Sequence, residues 1–593
     1  MLSFGIRFGE GFDRNTILKL MDSIPTSYEY DFLVLGASPG GIACAREARM
    51  ANKKVAIVRW TTYSAAEDEG FNEDLEKMYD VLHNDYNLLD STNSQSKLPF
   101  PRERRQSSFS MNVSKTTISF KGSESGKPAK KGVWYRKVRQ SRLDLNNELY
   151  RRSKEGRKLM LKAAACQKSL SEASKYGWRI TASFDRVTMN WKKFSDFVMD
   201  FMMRENWALM DTLVKEGVDI IEGKPSLVNN HTVKIQPLEG KEFDVTGEIL
   251  CAAPLTYYIL PESVPGAGEF GITCDDFLRL CESPGKTLIV GATPEGLECA
   301  GILACLNIPV FLVSRSEPLK GYDRGMTELV LDNLKSNGVI FMEKTTLVSI
   351  KLVRRGRLSA IFSKVATEDG ELSDIKDDEF DTVVFAVGKR ASLKHLNLSE
   401  IGVEINPDDG KILTGSNDMT AVQNIYAVGE AVFSRPRGNE IFEVTGKLLG
   451  KRLFFDKTET MDYTMLPYVL ITPIEYAFIG ISEDGALHRF GTDCIDVLQG
   501  TFTPIELEIS KKKPQCLMKV IVFRPKNQVI GLHVFGPEAG EIIQGFAGHM
   551  KLGITAEQLE TIVCVSGTKA QELIKLKKPK VSEEQDSIYP PTV

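Results

Sequence analysis

The stretch DFLVLGASPGGIACAREARMANKKVAIVRW, residues 31–60, decides the fold. Its apolar run FLVL is followed by the glycine-rich turn GASPGG, a segment of helical composition and a second apolar run, KVAIV. Short apolar runs joined by a helix are typical of buried parallel strands. The stretch therefore predicts a strand–turn–helix–strand unit within a parallel sheet.

A second stretch of the same design covers residues 286–314 and reads KTLIVG, ATPEG, LECAGILACLNI and PVFLVS. The runs TVVFAVG (382–388) and NIYAVGE (424–430) predict two further strands that end near a glycine. From about residue 463, alternating strands such as MKVIVFRP and VIGLHVFG accompany two helices. The sequence thus predicts the α/β fold class, with two Rossmann-like domains and a C-terminal α+β domain.

The composition argues against nucleic-acid and membrane functions. Of the 593 residues, 42% are hydrophobic and 26% are charged, as in ordinary globular chains. A net charge of −4 and a pI near 6.1 do not suit a nucleic-acid partner, which needs a basic surface. No apolar run reaches the length of about 18 residues that a membrane span needs. The N-terminus, MLSFGIRFGEGFDRN, has no apolar signal core, so we expect a cytoplasmic protein.

Residues 61–147 interrupt the first unit. The acidic segment TTYSAAEDEGFNEDLEK leads into RRQSSFSMNVSKTTISFKGSESGKPAKKG, which is rich in Ser, Lys and Gly and has little periodicity. This composition predicts a disordered insertion, and we expect any protein partner to bind there. The C-terminal residues 576–593 predict a flexible tail.

The first glycine turn only partly matches the dinucleotide fingerprint, which wants Gly at its first, third and sixth positions. Gly36 and Gly41 occupy the outer positions, but Ser38 stands where glycine lets the backbone approach a pyrophosphate. The next strand ends in Arg59, where an acid usually holds a ribose hydroxyl. Arginine suits a phosphate better than a diol, so the ligand signal departs from the fingerprint twice.

The second glycine turn predicts NADPH as a ligand. Gly291 and Gly296 flank Thr293, a small hydroxyl residue at the middle position. The following strand leads to Arg315, with Lys320 five residues later. A pair of cations at this place suits the 2′-phosphate that distinguishes NADPH from NADH.

Six separated segments, in order, resemble the pyridine-nucleotide disulfide oxidoreductases, most closely animal thioredoxin reductase and glutathione reductase. They are Gly36–Gly41, PGKTLIVGATPEGLECAG (284–301), FAVG (385–388), IYAVGE (425–430), TPIEYAFIGISE (472–483) and HVFGPEAGEIIQGFA (533–547). The resemblance covers roughly residues 29–60 and 149–575. It implies FAD and NADPH as cofactors and a homodimer formed through residues 460–575.

The resemblance also implies a domain order. The expected parts are an N-terminal extension (1–28), an FAD-binding-like domain (29–281, with the insertion at 61–147), an NAD(P)-binding-like domain (282–388), a return segment of the first domain (389–459), an interface domain (460–575) and the tail (576–593).

The flavin positions that the resemblance implies are partly kept. The family's Lys–Glu ion pair beside the flavin ring maps to Arg157 and Glu298, which preserves the opposite charges. Gly388 ends a strand at the cofactor edge. Glu430, after Gly429, stands where the family has the aspartate that holds the flavin's ribityl region.

The redox thiols that the resemblance implies are missing. The family's Cys-x4-Cys pair would map to Leu149 and Lys154, and no cysteine occurs between Cys44 and Cys166. Without a thiolate beside the flavin, the chain has no nucleophile for a disulfide substrate. No catalytic residue is therefore assigned.

The proton-transfer histidine and the redox tail are missing as well. The family's His-Pro would lie near Val565 and Ser566, in a segment without histidine, and no cysteine follows Cys564. A metal site is not expected, because no cysteines or histidines have the usual zinc spacing.

Three functions remain open at this point. The favoured one is a scaffold or nucleotide-sensing protein that has lost dithiol chemistry. The second is an FAD-dependent NADPH oxidoreductase such as an NADPH oxidase, diaphorase or quinone reductase, since the cofactors themselves carry hydride chemistry. The third is a thioredoxin-disulfide reductase in cell redox homeostasis, which would need other cysteines, such as Cys44, Cys166, Cys251 or Cys299, to meet at the flavin.

Overall fold

The computed structural model describes residues 28–60, 153–179, 189–237, 240–353, 357–364, 376–391, 393–407, 409–508 and 514–576. The predicted insertion (61–147), Leu149, and almost all of the N-terminal extension and the C-terminal tail lie outside the described residues.

The described residues form 22 β-strands and 12 α-helices. The strands are β1 (Tyr30–Leu35), β2 (Val55–Arg59), β3 (Asp219–Glu222), β4 (Lys224–Leu227), β5 (Thr232–Gln236), β6 (Phe243–Ala252), β7 (Thr256–Tyr258), β8 (Ile272–Thr273), β9 (Thr287–Val290), β10 (Val310–Ser314), β11 (Val339–Glu343), β12 (Thr345–Leu352), β13 (Leu358–Lys364), β14 (Lys376–Phe380), β15 (Thr382–Phe385), β16 (Lys389–Ala391), β17 (Ile425–Ala427), β18 (Pro467–Leu470), β19 (Tyr476–Gly480), β20 (Ile495–Phe502), β21 (Cys516–Phe523) and β22 (Gln528–Phe535). The helices are α1 (Pro39–Met50), α2 (Ser153–Glu172), α3 (Trp191–Lys215), α4 (Ala267–Phe270), α5 (Cys274–Leu278), α6 (Pro294–Cys305), α7 (Arg324–Ser336), α8 (Asn439–Phe454), α9 (Glu483–Phe490), α10 (Ala539–Lys551), α11 (Ala556–Glu560) and α12 (Ala570–Ile574).

The first sheet is built around the unit predicted from residues 31–60. Its strand order is β3-β2-β1-β6-β5-β4, and β17 also pairs with β6. The pairs among β1, β2, β3, β6 and β17 are parallel, whereas β4 and β5 extend the sheet antiparallel. Phe32 and Val34 pack on the face covered by α1 and α8, while Leu33 and Leu35 pack on the opposite face. Burial on both faces explains why the strand reads as one continuous apolar run.

The second sheet has the parallel order β11-β10-β9-β15-β8. Helix α6 connects β9 to β10, as the second glycine-containing stretch predicts. An antiparallel sheet, β12-β13-β14, and a two-stranded ribbon, β16-β7, accompany it. The parallel strands at the centre of both sheets confirm the predicted pair of Rossmann-like units.

The C-terminal part is an antiparallel sheet with the order β18-β19-β22-β21-β20. Helices α10, α11 and α12 contribute residues such as Ile543, Leu559 and Leu573 to the core on its face. This arrangement confirms the predicted α+β domain. Among the described residues, no helix is long and apolar enough to cross a membrane.

Candidate functional site

The first turn joins β1 to α1, and its polar groups are already hydrogen-bonded within the chain. Gly36 has a φ of +108°, and a Cβ there would collide with the Ala253 carbonyl, so this turn requires glycine. The Ser38 Oγ accepts a hydrogen bond from the Gly41 N–H at 3.4 Å, and the Ser38 N–H donates to Ala253 O at 3.2 Å. Pro39, at the start of α1, has no N–H. The helix therefore offers a phosphate fewer free donors than an uncapped N-terminus does.

The turn that carries Gly429 and Glu430 lies beside the first turn. Gly429 has a φ of +99°, and a Cβ added there would lie 3.2 Å from the Ser38 Oγ. Both turns follow parallel strands at the edge where open α/β sheets bind nucleotides. The Ser38 side chain, which is 3% exposed, fills the space that a glycine at this position would leave.

Arg59 ends β2 and forms an ion pair with Glu222, its register partner at the end of β3. The arginine that the sequence places at a nucleotide phosphate thus has a carboxylate partner within the chain. No sequence pattern indicates Glu222, because 163 residues separate the two and only the parallel pairing of β2 with β3 brings them together.

The second turn joins β9 to α6 and repeats the geometry of the first. Gly291 has a φ of +109°, and a Cβ there would collide with the Ala386 carbonyl. The Thr293 Oγ1 accepts a hydrogen bond from the Gly296 N–H at 3.3 Å, and Pro294 follows. In contrast to Ser38, the N–H of Thr293 makes no hydrogen bond to any described residue. This turn therefore keeps a free donor for a phosphate.

Two exposed cations follow β10, close to the second turn. The Leu319 N–H donates to Ala292 O at 3.4 Å and ties the loop that carries Arg315 and Lys320 to this turn. Both side chains are exposed, and neither forms an ion pair within the described ranges. Gly388 follows β15 at the same edge of the sheet, with a φ of +122°.

Arg157 and Glu298 form a buried ion pair between α2 and α6. The Arg157 Nε donates to Glu298 Oε2 at 2.6 Å, and the other carboxylate oxygen, Oε1, accepts the Ile471 N–H at 3.1 Å. Both charged side chains are at most 5% exposed. The pair therefore links the two Rossmann-like units and the segment that leads into the C-terminal sheet.

Lys389 is a charged residue of the site that the sequence reading missed. Its Nζ lies 3.9 Å from Glu295, 3.9 Å from Glu430 and 4.6 Å from the Tyr258 ring centroid. Lys389 and Tyr258 are partners in the β16–β7 ribbon, and the Thr256 Oγ1 donates to Glu430 at 2.5 Å. A cation directly after the strand-ending Gly388 was the available sequence signal.

The two carboxylates set the ionisation of this lysine. Burial alone would lower the pKa of Lys389, but Glu430 and Glu295 raise it above its usual value. Burial likewise would raise the pKa of Glu295, yet Lys389 and Arg157 hold it below the usual range. Both shifts favour the charged forms of Lys389 and Glu295.

The cysteines named for dithiol chemistry are mostly buried. Burial and a hydrogen bond to Cys251 raise the pKa of Cys44, and a hydrogen bond to Cys299 and burial raise that of Cys274. Cys166 is exposed on α2. Thiols held protonated in apolar surroundings are poor nucleophiles.

The positions expected to have lost catalytic groups fall in two places. Lys154 lies in the first turn of α2, near Arg157, whereas Val565 and Ser566 lie in an exposed loop before α12. The described part of the chain contains no cluster of three metal-ligating residues.

Comparison with known proteins identifies the family. The sequence model of the pyridine nucleotide-disulphide oxidoreductases matches residues 158–444, and the model of their dimerisation domain matches residues 466–575. The chain is 33% identical over 430 residues to "Thioredoxin reductase 2, mitochondrial" of Drosophila melanogaster, an alignment that covers 72% of this chain and 81% of the fly protein. The chain belongs to the pyridine nucleotide-disulphide oxidoreductase family, which confirms the resemblance read from the sequence.

Membership of the family implies FAD and NADPH as cofactors. The residues present fit NADPH better than they fit the pyrophosphate of FAD. The second turn, with its free Thr293 N–H and the cations Arg315 and Lys320, fits a nicotinamide nucleotide. Near the ion pair of Arg157 and Glu298, the buried Arg157 Nη1 and Tyr258 hydroxyl have no hydrogen-bond partner among the described residues, which fits a bound group with polar edges. The first turn, with Ser38 filling it, is the poorer place for a pyrophosphate.

Proposed function

We propose that the chain is an NADPH-binding relative of the thioredoxin reductases that carries out no dithiol–disulfide exchange and acts as a nucleotide-responsive scaffold. The observation that carries the proposal is a contrast between two sites. Donors and cations remain at the second turn, whereas no cysteine lies between Cys44 and Cys166, where the family's reactive pair belongs. Loss of the thiols removes the substrate chemistry but leaves nucleotide binding.

In this proposal, the second turn binds the dinucleotide. Gly291 and Gly296 allow close approach of the backbone, and the Thr293 N–H donates to the pyrophosphate. Arg315 and Lys320 take the 2′-phosphate. Bound NADPH would supply a hydride, and the buried pair of Arg157 and Glu298 would lie beside its reactive ring.

The test is a calorimetric titration with NADPH and NADH. We expect Arg315→Ala and Lys320→Ala each to weaken NADPH binding about tenfold, the loss of one charge-assisted contact, and to leave NADH binding unchanged. Arg324→Ala is the control, because Arg324 is exposed on the same unit but pairs with Glu328. Equal losses for both nucleotides, or no binding by the unaltered protein, would contradict the proposal.

A second function, an NADPH oxidoreductase with FAD, is supported by the ion pair of Arg157 with Glu298 and by Glu430, which lies 3.9 Å from Lys389 Nζ. In that case the purified protein would be yellow, would release FAD on denaturation and would oxidise NADPH with a quinone or oxygen. A colourless protein that does not take up added FAD would rule this function out.

A homodimer through residues 460–575 is the assembly that we propose. It is supported by the match of the dimerisation domain and by exposed apolar side chains in that part of the chain, namely Ile505, Leu552, Val563 and Val565. Sedimentation equilibrium should give twice the chain mass. Asp substitutions at Val563 and Leu552 should shift the protein towards the monomer.

The remaining expectations stay proposals. The domain limits given above can be tested by limited proteolysis, and the insertion at 61–147 as a partner surface by comparing partners captured with and without it. A cytoplasmic location can be tested by imaging the tagged full chain. The name of the fly relative makes mitochondria the alternative outcome.

A further inference from the structure

Tyr476 and His533 form a buried, hydrogen-bonded pair inside the C-terminal sheet. Tyr476 begins β19 and is 0% exposed, and His533 lies on the neighbouring strand β22 and is 1% exposed. The phenol oxygen is 3.0 Å from His533 Nδ1, and His533 Nε2 is 2.9 Å from the Ile481 carbonyl oxygen.

These two contacts fix the direction of the hydrogen bond between the side chains. Burial lowers the pKa of His533, so its imidazole is neutral at pH 7 and carries one N–H. Because the Ile481 carbonyl can only accept, that N–H is at Nε2. Nδ1 is therefore the acceptor, and the Tyr476 hydroxyl donates to it.

A buried phenol that is bonded to a base has redox chemistry that a lone buried phenol lacks. Removing one electron from a tyrosine makes its hydroxyl strongly acidic, so the proton has to leave with the electron. A charge without a partner is costly in the interior of a protein. The proton therefore needs an acceptor within hydrogen-bond reach, and for Tyr476 that acceptor is His533 Nδ1.

The surroundings of His533 can compensate the proton that it would receive. Lys519 Nζ lies 2.7 Å from Asp323 Oδ1 and 2.8 Å from Glu483 Oε2, so two carboxylates share one ammonium group. The two carboxylates raise the pKa of His533, and Lys519 opposes them. An imidazolium formed beside this cluster would therefore neutralise its excess negative charge.

A stack of aromatic rings leads from Tyr476 to two partly exposed tyrosines. The centroid of the Phe478 ring is 5.5 Å from that of Tyr476 and 5.1 Å from that of Tyr468, and both pairs are stacked. The Tyr322 ring lies 6.3 Å from Tyr476 and 5.3 Å from Phe478. Tyr322 and Tyr468 are partly exposed, so the stack connects the buried pair with the surface.

We propose that Tyr476 is a redox-active tyrosine, which gives one electron to a diffusible radical oxidant at the surface and its proton to His533. The O–H bond of Tyr476 breaks and an N–H bond forms at His533 Nδ1. The electron passes through the ring of Tyr322 or Tyr468 to the oxidant, which is reduced by one electron. A neutral phenoxyl radical then stands beside an imidazolium. A one-electron reductant such as ascorbate reverses the step, because its electron and the proton on His533 restore the phenol.

The test is flash oxidation of the full-length protein with ruthenium tris-bipyridine and persulfate, followed by electron paramagnetic resonance. In the unaltered protein we expect a tyrosyl radical that outlasts those of surface tyrosines and forms more slowly in D₂O, because the proton moves with the electron. Tyr476→Phe should remove this long-lived signal. Tyr426→Phe is the control and should keep it, because Tyr426 is a partly buried tyrosine of β17 outside the stack.

His533→Gln tests the proton acceptor separately from the phenol. Glutamine can accept the same hydrogen bond, but its amide does not take up a proton, so we expect at least about tenfold less of the long-lived radical. Circular dichroism checks the folding of each variant. If Tyr476→Phe does not fold, the double variant Tyr322→Phe with Tyr468→Phe replaces it and should lower the yield of the same signal.

The proposal is overturned if the unaltered protein forms no long-lived tyrosyl radical. It is equally overturned if folded Tyr476→Phe, or the double variant in its place, gives the signal of the unaltered protein. A His533→Gln variant that forms the radical in the same yield would show that His533 is not the proton acceptor.

Discussion

Ser38 and Thr293 occupy the same position in two similar turns, yet their backbone N–H groups differ. The Ser38 N–H is bonded to Ala253 O, whereas that of Thr293 is free among the described residues. Each hydroxyl caps its own helix through the Gly41 or Gly296 N–H. The backbone N–H of Thr293 therefore remains available to a pyrophosphate, whereas that of Ser38 is already bonded within the chain.

Replacing Ser38 by glycine should improve the first turn as a phosphate site, although it leaves the N–H of residue 38 bonded to Ala253 O. The variant frees the Gly41 N–H and empties the space beside Gly429, so we expect more bound FAD per chain after incubation with excess cofactor. The stability cost should be a few tenths of a kcal/mol, because glycine is a tolerable N-cap, whereas Ser38→Ala should cost about 1 kcal/mol. Released flavin and urea unfolding measure the two effects. Unchanged FAD content in Ser38→Gly would show that another feature limits binding.

At the scale of single residues, the sequence indicates some of the site and is silent on the rest. Arg315 and Lys320 could be predicted from the sequence, because the fingerprint fixes the spacing between the glycine turn and the end of the next strand. Glu222 and Lys389 could not, since their ion-pair partners, Arg59 and Glu430, are distant from them in the sequence. The identity of a contact across a sheet depends on strand order, which one sequence does not contain.

At the scale of elements, α2 and α6 are joined by the buried ion pair of Arg157 and Glu298. The neighbouring residue Lys158 makes a different pair, 3.8 Å from Glu541 and with both side chains more than half exposed. Buried and exposed pairs should differ strongly in energy, because an unpaired charge in the interior has no water to solvate it.

We expect Glu298→Ala to lower the free energy of unfolding by about 3–5 kcal/mol, since it leaves the Arg157 charge buried alone. The double variant Arg157→Met with Glu298→Leu should recover much of that loss, because apolar residues of similar volume need no partner. Glu541→Ala is the control, with a cost of at most about 1 kcal/mol. Urea denaturation followed by circular dichroism measures the free energy of unfolding of the three variants. A Glu298→Ala variant as stable as the double variant would contradict the prediction.

At the scale of the whole molecule, a buried cluster of charged residues connects the second Rossmann-like unit to the C-terminal sheet. Asp323, the N-cap of α7, accepts Lys519 Nζ at 2.7 Å and the Glu483 N–H at 3.1 Å. His533 lies beside this cluster, with Nδ1 at 3.0 Å from the Tyr476 hydroxyl and Nε2 at 2.9 Å from Ile481 O. The two structural units are therefore coupled through charged and titratable groups.

The overall architecture was predictable from the sequence because the two glycine turns and the apolar runs are local signals. The coupling of the domains was not, since Asp323 and Lys519 stand 196 residues apart. Asp323 resembles an ordinary helix cap in sequence, and only the packing of α7 against β21 and β22 reveals its second role.

This coupling makes the stability of the molecule depend on pH through His533. Burial lowers the pKa of His533, although Asp323 opposes the shift. The folded state then binds fewer protons than the unfolded state below the unfolded pKa of about 6.5. The stabilisation is present above that pH and is lost as the pH falls towards the folded pKa, by at most about 1.4 kcal/mol per pH unit.

The Tm should therefore fall between pH 7 and pH 5. His533→Gln, which can keep both hydrogen bonds without titrating, should flatten that fall, while His549→Gln, on the exposed side of α10, should not. Equal slopes for His533→Gln and the unaltered protein would mean that the acid sensitivity arises elsewhere.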